Sequence, residues 1–490
     1  MISFNQFAGL VCGGWTLVAV LLLGLEVRRD PVPVTNADFR RFQRIFLGGY
    51  LPCLLGDSLQ APFLYYLYQN YGFMESQIAI IYVCGLISSM LCSLLGPSLI
   101  DRLGPRLLCL LMVGLSCLGC LLKLFPQYGL LLLSRLFDGI ASWLLATAPQ
   151  LWYFNQHILS MDLPPGWLSK TWRKTALAGG LLAIAAGLLA EFSEDVFRLT
   201  AFPFVAAVPC LLTGGLVMLS LWTEGTPTSK SATPSSLGLT DQPASASGRS
   251  SLTVQFRRAL KAFAARPAIG LLACIQALFE SVLYMFVFVW TPIFMIIWPV
   301  MGSRPLFGVL YSCFMASALC GTLLYKVLVR RLTAWQTLPV AVVLSAVSMC
   351  IVVMLMYPAG LTQAKISHSL QLSFCVSLAA LCTYEIGVGL YFPCIERLQR
   401  ELLTTEDKPA ILAFFRIPLN LLSSLLLVLL HDKDSVWGNW SLLAFSMVAL
   451  IITFLLSLLL MAVGRGGAVA DRNFGVRNLT NSLVGDYDSD

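Results

Sequence analysis

The sequence predicts an all-α polytopic membrane protein: two six-helix bundles preceded by one extra N-terminal transmembrane helix. Composition is the first reason. Of 490 residues, 58% are hydrophobic and only 12% are charged, against roughly 45–50% and about 25% in soluble domains. The apolar residues also fall into runs of bilayer length, and the basic residues concentrate in alternate loops.

A hydrocarbon core about 30 Å thick needs about 20 apolar residues in a helix. That criterion gives spans at 7–27, 45–69, 76–99, 107–124, 129–152, 176–192 and 199–222. After a polar stretch come 268–292, 306–329, 337–357, 369–394, 410–430 and 441–463. Strand-type alternation is absent, which argues against a β-barrel. Helices satisfy their own backbone polar groups, as lipid cannot.

The first span has no Lys or Arg before it and no small-residue cleavage site after it, and Arg28 and Arg29 follow it. It reads as a retained signal-anchor rather than a cleaved signal peptide. With the N-terminus outside, the inside loops, counting Lys326 in the last turn of its span, hold 25 of the 32 Lys and Arg residues and the outside loops hold four. Lys123, Arg135 and Arg416 lie within spans. This is the positive-inside distribution. It accounts for the net charge of +7 without a nucleic-acid partner. The expected setting is the plasma membrane, with the C-terminus cytoplasmic.

Residues 1–44 form the anchor and its loop, and 45–222 and 268–463 hold six spans each. Between them, 223–267 is rich in Ser, Thr, Pro, Ala and Gly, the composition of a flexible linker. Its Arg257, Arg258 and Lys261 suit either a short amphipathic helix on anionic lipid or a solvated face. The tail, 464–490, is expected to be disordered. Six plus six is the layout of a transporter with its site between two parallel repeats. An internal match agrees: Asp57-Ser58 and Glu280-Ser281 each follow an apolar step in the first helix of a half.

The loop Asp101-Arg102-Leu103-Gly104-Pro105-Arg106 resembles the Asp-Arg-x-Gly signature of the major facilitator superfamily. Pro97 replaces its leading Gly and Pro105 one of its basic residues. Arg135-x-x-Asp138-Gly139 is similar to the Arg-x-x-x-Gly pattern of that superfamily. Gln60-Ala-Pro-Phe-Leu-Tyr-Tyr-Leu-Tyr68, Ile275-Gln-Ala-Leu-Phe-Glu-Ser281, Gly389-Leu-Tyr-Phe-Pro393 and Phe415-Arg-Ile-Pro418 resemble its molybdate-anion transporter family. The resemblance implies the major facilitator fold, alternating access, and molybdate or a related oxyanion as cargo. The family carries Phe-Glu-Ala-Trp where this chain reads Pro149-Gln150-Leu151-Trp152, so Gln150 lacks that charge and proton capacity.

A charge at bilayer depth costs roughly 2.5–3.5 kcal/mol on insertion scales, so such residues face the interior and carry a role. For a tetrahedral dianion, Arg is the best ligand, because its planar fork donates two hydrogen bonds and stays charged. Arg416 is the leading candidate, the alternative being an ion pair with Glu280, Glu385 or Asp101. Arg173 is its repeat-related counterpart or an ordinary inside-loop cation. Gln60, Gln276, Tyr284 and Gln150 complete the substrate-side candidates, with packing between helices as the alternative.

Ionised, Asp57, Glu280 and Glu385 would repel molybdate. They must be protonated, paired, or beside a coupling cation. A proton is the expected coupling ion and Glu280 its expected carrier. Arg135 and Asp138, three apart on one helix face, can pair; with Asp101, Arg102 and Arg106 they are gating candidates.

No phosphate-binding Gly loop, metal motif or catalytic triad is present. A secondary transporter without cofactor or metal is therefore expected, not an enzyme. Two other functions fit: carriage of a sugar or other small organic solute, suited by Tyr65, Tyr284 and Trp290, and a transporter-like sensor or scaffold without transport.

Overall fold

The computed structural model describes residues 4–28, 36–223, 266–298, 304–357, 370–403, 408–429 and 435–485. Helix α1 is Phe4–Arg28. Helix α2 (Ala37–Gln60) passes through a 3-10 turn, Ala61–Phe63, into α3 (Leu64–Asn70). Then come α4 (Glu75–Leu103), α5 (Pro105–Leu122), α6 (Tyr128–Asn155), α7 (Pro165–Phe197) and α8 (Phe202–Leu221). The second half holds α9 (Pro267–Ile297), α10 (Phe307–Leu328), α11 (Ala334–Leu355), α12 (Leu370–Leu402), α13 (Lys408–Leu429) and α14 (Ser435–Gly485).

Local chemistry sets these limits. Asn36 Oδ1 accepts from the Asp38 and Phe39 N–H groups at 2.9 and 3.1 Å and caps α2. Proline occupies the first turn of α5, α7, α8 and α9, where no partner for its missing N–H is needed. Gly104 separates α4 from α5 at φ +74°, a conformation side chains resist. The span 45–69 is not one helix. Pro62 has no N–H for the Ser58 carbonyl, so the α ladder lapses into the 3-10 turn there.

In the first half, α2 packs on α7 and α8, α6 on α4 and α5, and α5 on α8. In the second, α9 packs on α13 and α14, α12 on α10 and α11, and α11 on α14. A shift of six core helices superimposes one set of pairs on the other. Between the halves, α7 packs on α10 and α4 on α13, and the same shift exchanges these two crossings. The α7–α10 crossing is close because Gly187 and Gly308 face each other; a Cβ on Gly308 would overlap the Gly187 carbonyl.

Helix α1 packs along α10. Its Trp15, Leu22 and Leu23 join Leu177 and Leu181 of α7 around Ala316, Leu319 and Leu323, so it touches both halves where they cross. Leu91, Leu216, Met354 and Leu455 are among the apolar side chains left exposed on the outer faces, the surface lipid would cover.

Among the described residues, ten helices are long and apolar enough to cross a membrane: α4 to α12 and α14. The remaining three expected spans fall on α1 and α13, with shorter apolar stretches at Ala8–Gly24 and Phe415–Leu429, and on the interrupted α2–α3. The linker lies almost wholly outside the described residues, including Arg257, Arg258 and Lys261. Helix α14 runs on to Gly485, into the stretch 464–490. No proline interrupts 464–485.

Candidate functional site

A cavity of about 270 Å³ lies between the halves. Its polar lining is mostly from the first half: Asp57 and Gln60 of α2, Ser89 of α4, Ser116 of α5, and Arg135, Asp138 and Ser142 of α6. The second half contributes Tyr284, Val287 and Leu427. The 3-10 turn borders this space through Ala61, so the chain's local break in α2 sits at the cavity.

The charged wall is built by close helix packing. Gly139 of α6 lies against Gly85 and Ser88 of α4 with no room for a Cβ. That approach lays the Arg135 guanidinium over the Tyr82 ring, 5.0 Å from its centroid. Arg135 Nη1 is 3.3 Å from Asp138 Oδ2. A third residue completes the group. Lys123, at the C-terminal end of α5, is fully buried, with its Nζ 2.7 Å from Asp138 Oδ2. The same ammonium donates to Asp138 Oδ1 and to Gln60 Oε1, both at 2.9 Å. Sequence reasoning noted Lys123 as a cation within a span and did not promote it. Its signal was there: it is a lysine at depth, and buried lysines are paired.

In the second half, Glu280 lies beside Gln276 and Tyr391, within electrostatic reach of Arg416. Gln276 also accepts a 2.8 Å hydrogen bond from Gln399 Nε2. Tyr284, one turn along α9, is within electrostatic reach of both Glu280 and Arg416 and lines the cavity. Glu385 of α12 is 3% exposed. Tyr311 of α10 lies beside Ser58 and within electrostatic reach of both Asp57 and Glu385, which joins the two halves near the cavity.

The other expected residues lie elsewhere. Gln150 is exposed on α6 and lies beside the Tyr50 hydroxyl. Arg173 is half-buried on α7. Its neighbour Lys174 donates to Gln43 Oε1 at 2.6 Å, and Gln43 Nε2 donates to Thr171 Oγ1 at 2.8 Å. Arg106 Nη2 donates to the Leu219 carbonyl at 2.7 Å and ties α5 to the end of α8. Arg102 is exposed; the Asp101 side chain is outside the described residues.

One contact set was missed altogether. At the end expected outside, Arg304 forms ion pairs with Glu191, at 2.7 Å, and with Glu194, both of α7. Its guanidinium also lies 5.3 Å from the Phe63 ring centroid. Glu191 Oε2 accepts the Gly308 N–H at 2.7 Å. Asn439 Nδ2 donates to Glu75 Oε2 at 3.1 Å, and Tyr65 and Phe288 meet edge to face at 5.3 Å. All of these join one half to the other. Asn439, which heads the Asn-x-Ser sequence Asn439-Trp440-Ser441, is 2% exposed and so is a packing position. At the opposite end, Gln43, Lys174, Arg106 and Arg266 have partners within their own half.

A family model described as sugar transporters with 12 transmembrane helices matches residues 7–381. A molybdate-anion transporter of Takifugu rubripes is 35% identical over 432 residues, 85% of this chain and 86% of the relative. One of Danio rerio is 34% identical, covering 83% of this chain and 82% of its own. The crystal structure of a D-xylose-proton symporter aligns with 85% of this chain and 97% of its own, at 13% identity and a TM-score of 0.60. That of the nucleoside transporter NupG covers 86% and 98%, at 11% identity and a TM-score of 0.58. The fold of these neighbours is that of the helix pairs described above. The chain belongs to the molybdate-anion transporter family of the major facilitator superfamily, a family of membrane transporters.

Proposed function

We propose that the chain is a secondary transporter that carries molybdate or a related tetrahedral oxyanion through the central cavity by alternating access. The observation that carries this is the charged wall: two cations, Lys123 and Arg135, against one shared carboxylate, Asp138. The trio carries one net positive charge, which is also the net charge of the cluster when Asp57 on the same lining is protonated, and Arg135 faces the cavity. The relatives named as molybdate-anion transporters support the same cargo. The inter-half contacts at the Arg304 end favour a state closed outside, with the site turned toward the cytoplasm. The basic loops favour an outside N-terminus in the plasma membrane.

Coupling to a proton is proposed through two carboxylates. Asp57 lines the cavity, and Glu280 lies one turn from the cavity-lining Tyr284, within electrostatic reach of Arg416. A second reading keeps the path and changes the cargo to a sugar. Gln60, Ser142 and Tyr284 on the lining favour it, as does the description of the matching family model.

Uptake of labelled molybdate against labelled sugars, by proteoliposomes holding the native chain, separates the two. Saturable molybdate uptake is expected. Saturable sugar uptake with none of molybdate overturns the oxyanion reading. No saturable uptake of either leaves the sensor or scaffold reading.

A further inference from the structure

We propose that Lys123 is a positioning residue: by holding Asp138 it keeps the Arg135 guanidinium available to an oxyanion. This rests on the oxyanion reading above and deepens it.

The hydrogen-bond geometry divides the roles. An ammonium has three N–H groups. Lys123 donates to Asp138 Oδ1 and Gln60 Oε1 and stands 2.7 Å from Asp138 Oδ2. Lys123 is fully buried and does not line the cavity, so it presents no face to cargo. Arg135 has five donors. Only its longer 3.3 Å contact goes to Asp138, and its buried Nε has no hydrogen-bond partner among the described residues. Arg135 lines the cavity, and Gly85 leaves room for it; a Cβ there would stand 3.3 Å from Nη2.

The charges explain why both cations are needed. Asp138 alone against Arg135 would make a neutral pair, with the fork spent on the carboxylate. Lys123 supplies the second positive charge and takes the nearer position. Arg135 keeps unspent N–H groups, and the wall keeps one net positive charge. Asp57 is the other charged side chain on the cavity lining.

The test is labelled molybdate uptake by proteoliposomes holding the native chain, Lys123→Met, and Lys123→Met with Asp138→Asn. Lys123→Met lets Asp138 capture Arg135, and KM is expected to rise about tenfold or more, the worth of one charged hydrogen bond. The double variant removes the Lys123–Asp138 pair as a unit and returns the wall to one net positive charge, carried by cavity-facing Arg135, so it is measured even if the single variant fails to fold. It is expected to bring KM back to within about threefold of native, because no acid then competes for Arg135.

A double variant with KM about tenfold or more above native, in a chain that still shows saturable uptake, overturns the inference. Lys123 would then touch the cargo itself, or the pair would be structural. Absence of saturable uptake by the native chain overturns the oxyanion reading, and the inference falls with it.

Discussion

The two halves repeat each other's helix pairs and differ in where they put their charges. In the first half, Asp57, Arg135 and Asp138 face the cavity, with Lys123 buried behind them. In the second, the acid at the matching place, Glu280, sits with Gln276, Tyr391 and Arg416, and the cavity receives Tyr284, Val287 and Leu427. Packing needs only small and apolar residues at the crossings, so it can be symmetric. Binding an anion needs a local excess of positive charge, which Lys123, Arg135 and Asp138 of the first half supply when Asp57 is protonated. We propose that the first half binds the anion and that Asp57 within it and Glu280 of the second half carry the proton.

Arg135→Gln is the strongest way to break this contrast. It removes the charge and the planar fork while keeping similar size. Molybdate uptake at concentrations below KM should fall about 100-fold, the upper worth of a charge-assisted hydrogen bond. Arg416→Gln should cost less in KM. If it costs more, the anion is held by the second half.

The paired acids sharpen the contrast by sign. Asp57→Asn removes a negative charge from the cavity, so the KM for molybdate should fall, by about three- to tenfold. Glu280→Gln should abolish pH-driven uptake while the protein still reaches the membrane, and leave exchange of labelled for unlabelled molybdate across it. Uptake measured with and without a pH gradient decides. Unchanged pH dependence in Glu280→Gln removes Glu280 as the coupling acid.

The Arg304 contacts test the conformational side of the asymmetry. Arg304→Ala leaves Glu191 and Glu194 facing each other at the outer end. Exchange rates should change about two- to fivefold, since the pair is partly exposed and such pairs are individually modest. Labelling of a cysteine introduced at Ser89, by a membrane-impermeant reagent from outside, should rise if these contacts hold the outer end closed.

Much of this was legible in the chain. Helix positions follow from apolar run length, and the Arg135–Asp138 pair follows from an i,i+3 spacing. What was not legible is non-local. Lys123 and Asp138 are 15 residues apart, on different helices, and only the antiparallel return of α6 along α5 brings them together. Arg304 and Glu191 lie on opposite sides of the linker, and no periodicity relates them. The interruption of α2 had a local sign in Pro62, which apolar run length alone passes over.

The smallest expected effect concerns Gln150, where the family resemblance implies an acid. Gln150 lies 15 residues beyond Arg135 on the same helix, roughly 22 Å along the axis at about 1.5 Å per residue. It is exposed and does not line the cavity. Between exposed charges at more than twice the Debye length of about 8 Å, little interaction survives in physiological salt. Gln150→Glu should therefore change the KM for molybdate by less than about twofold, whereas the same added charge at Gln60, beside Lys123, should change it far more. A large gain of uptake from Gln150→Glu would mean that cargo or proton passes along the inner part of α6. The first half would then hold two sites in series rather than one.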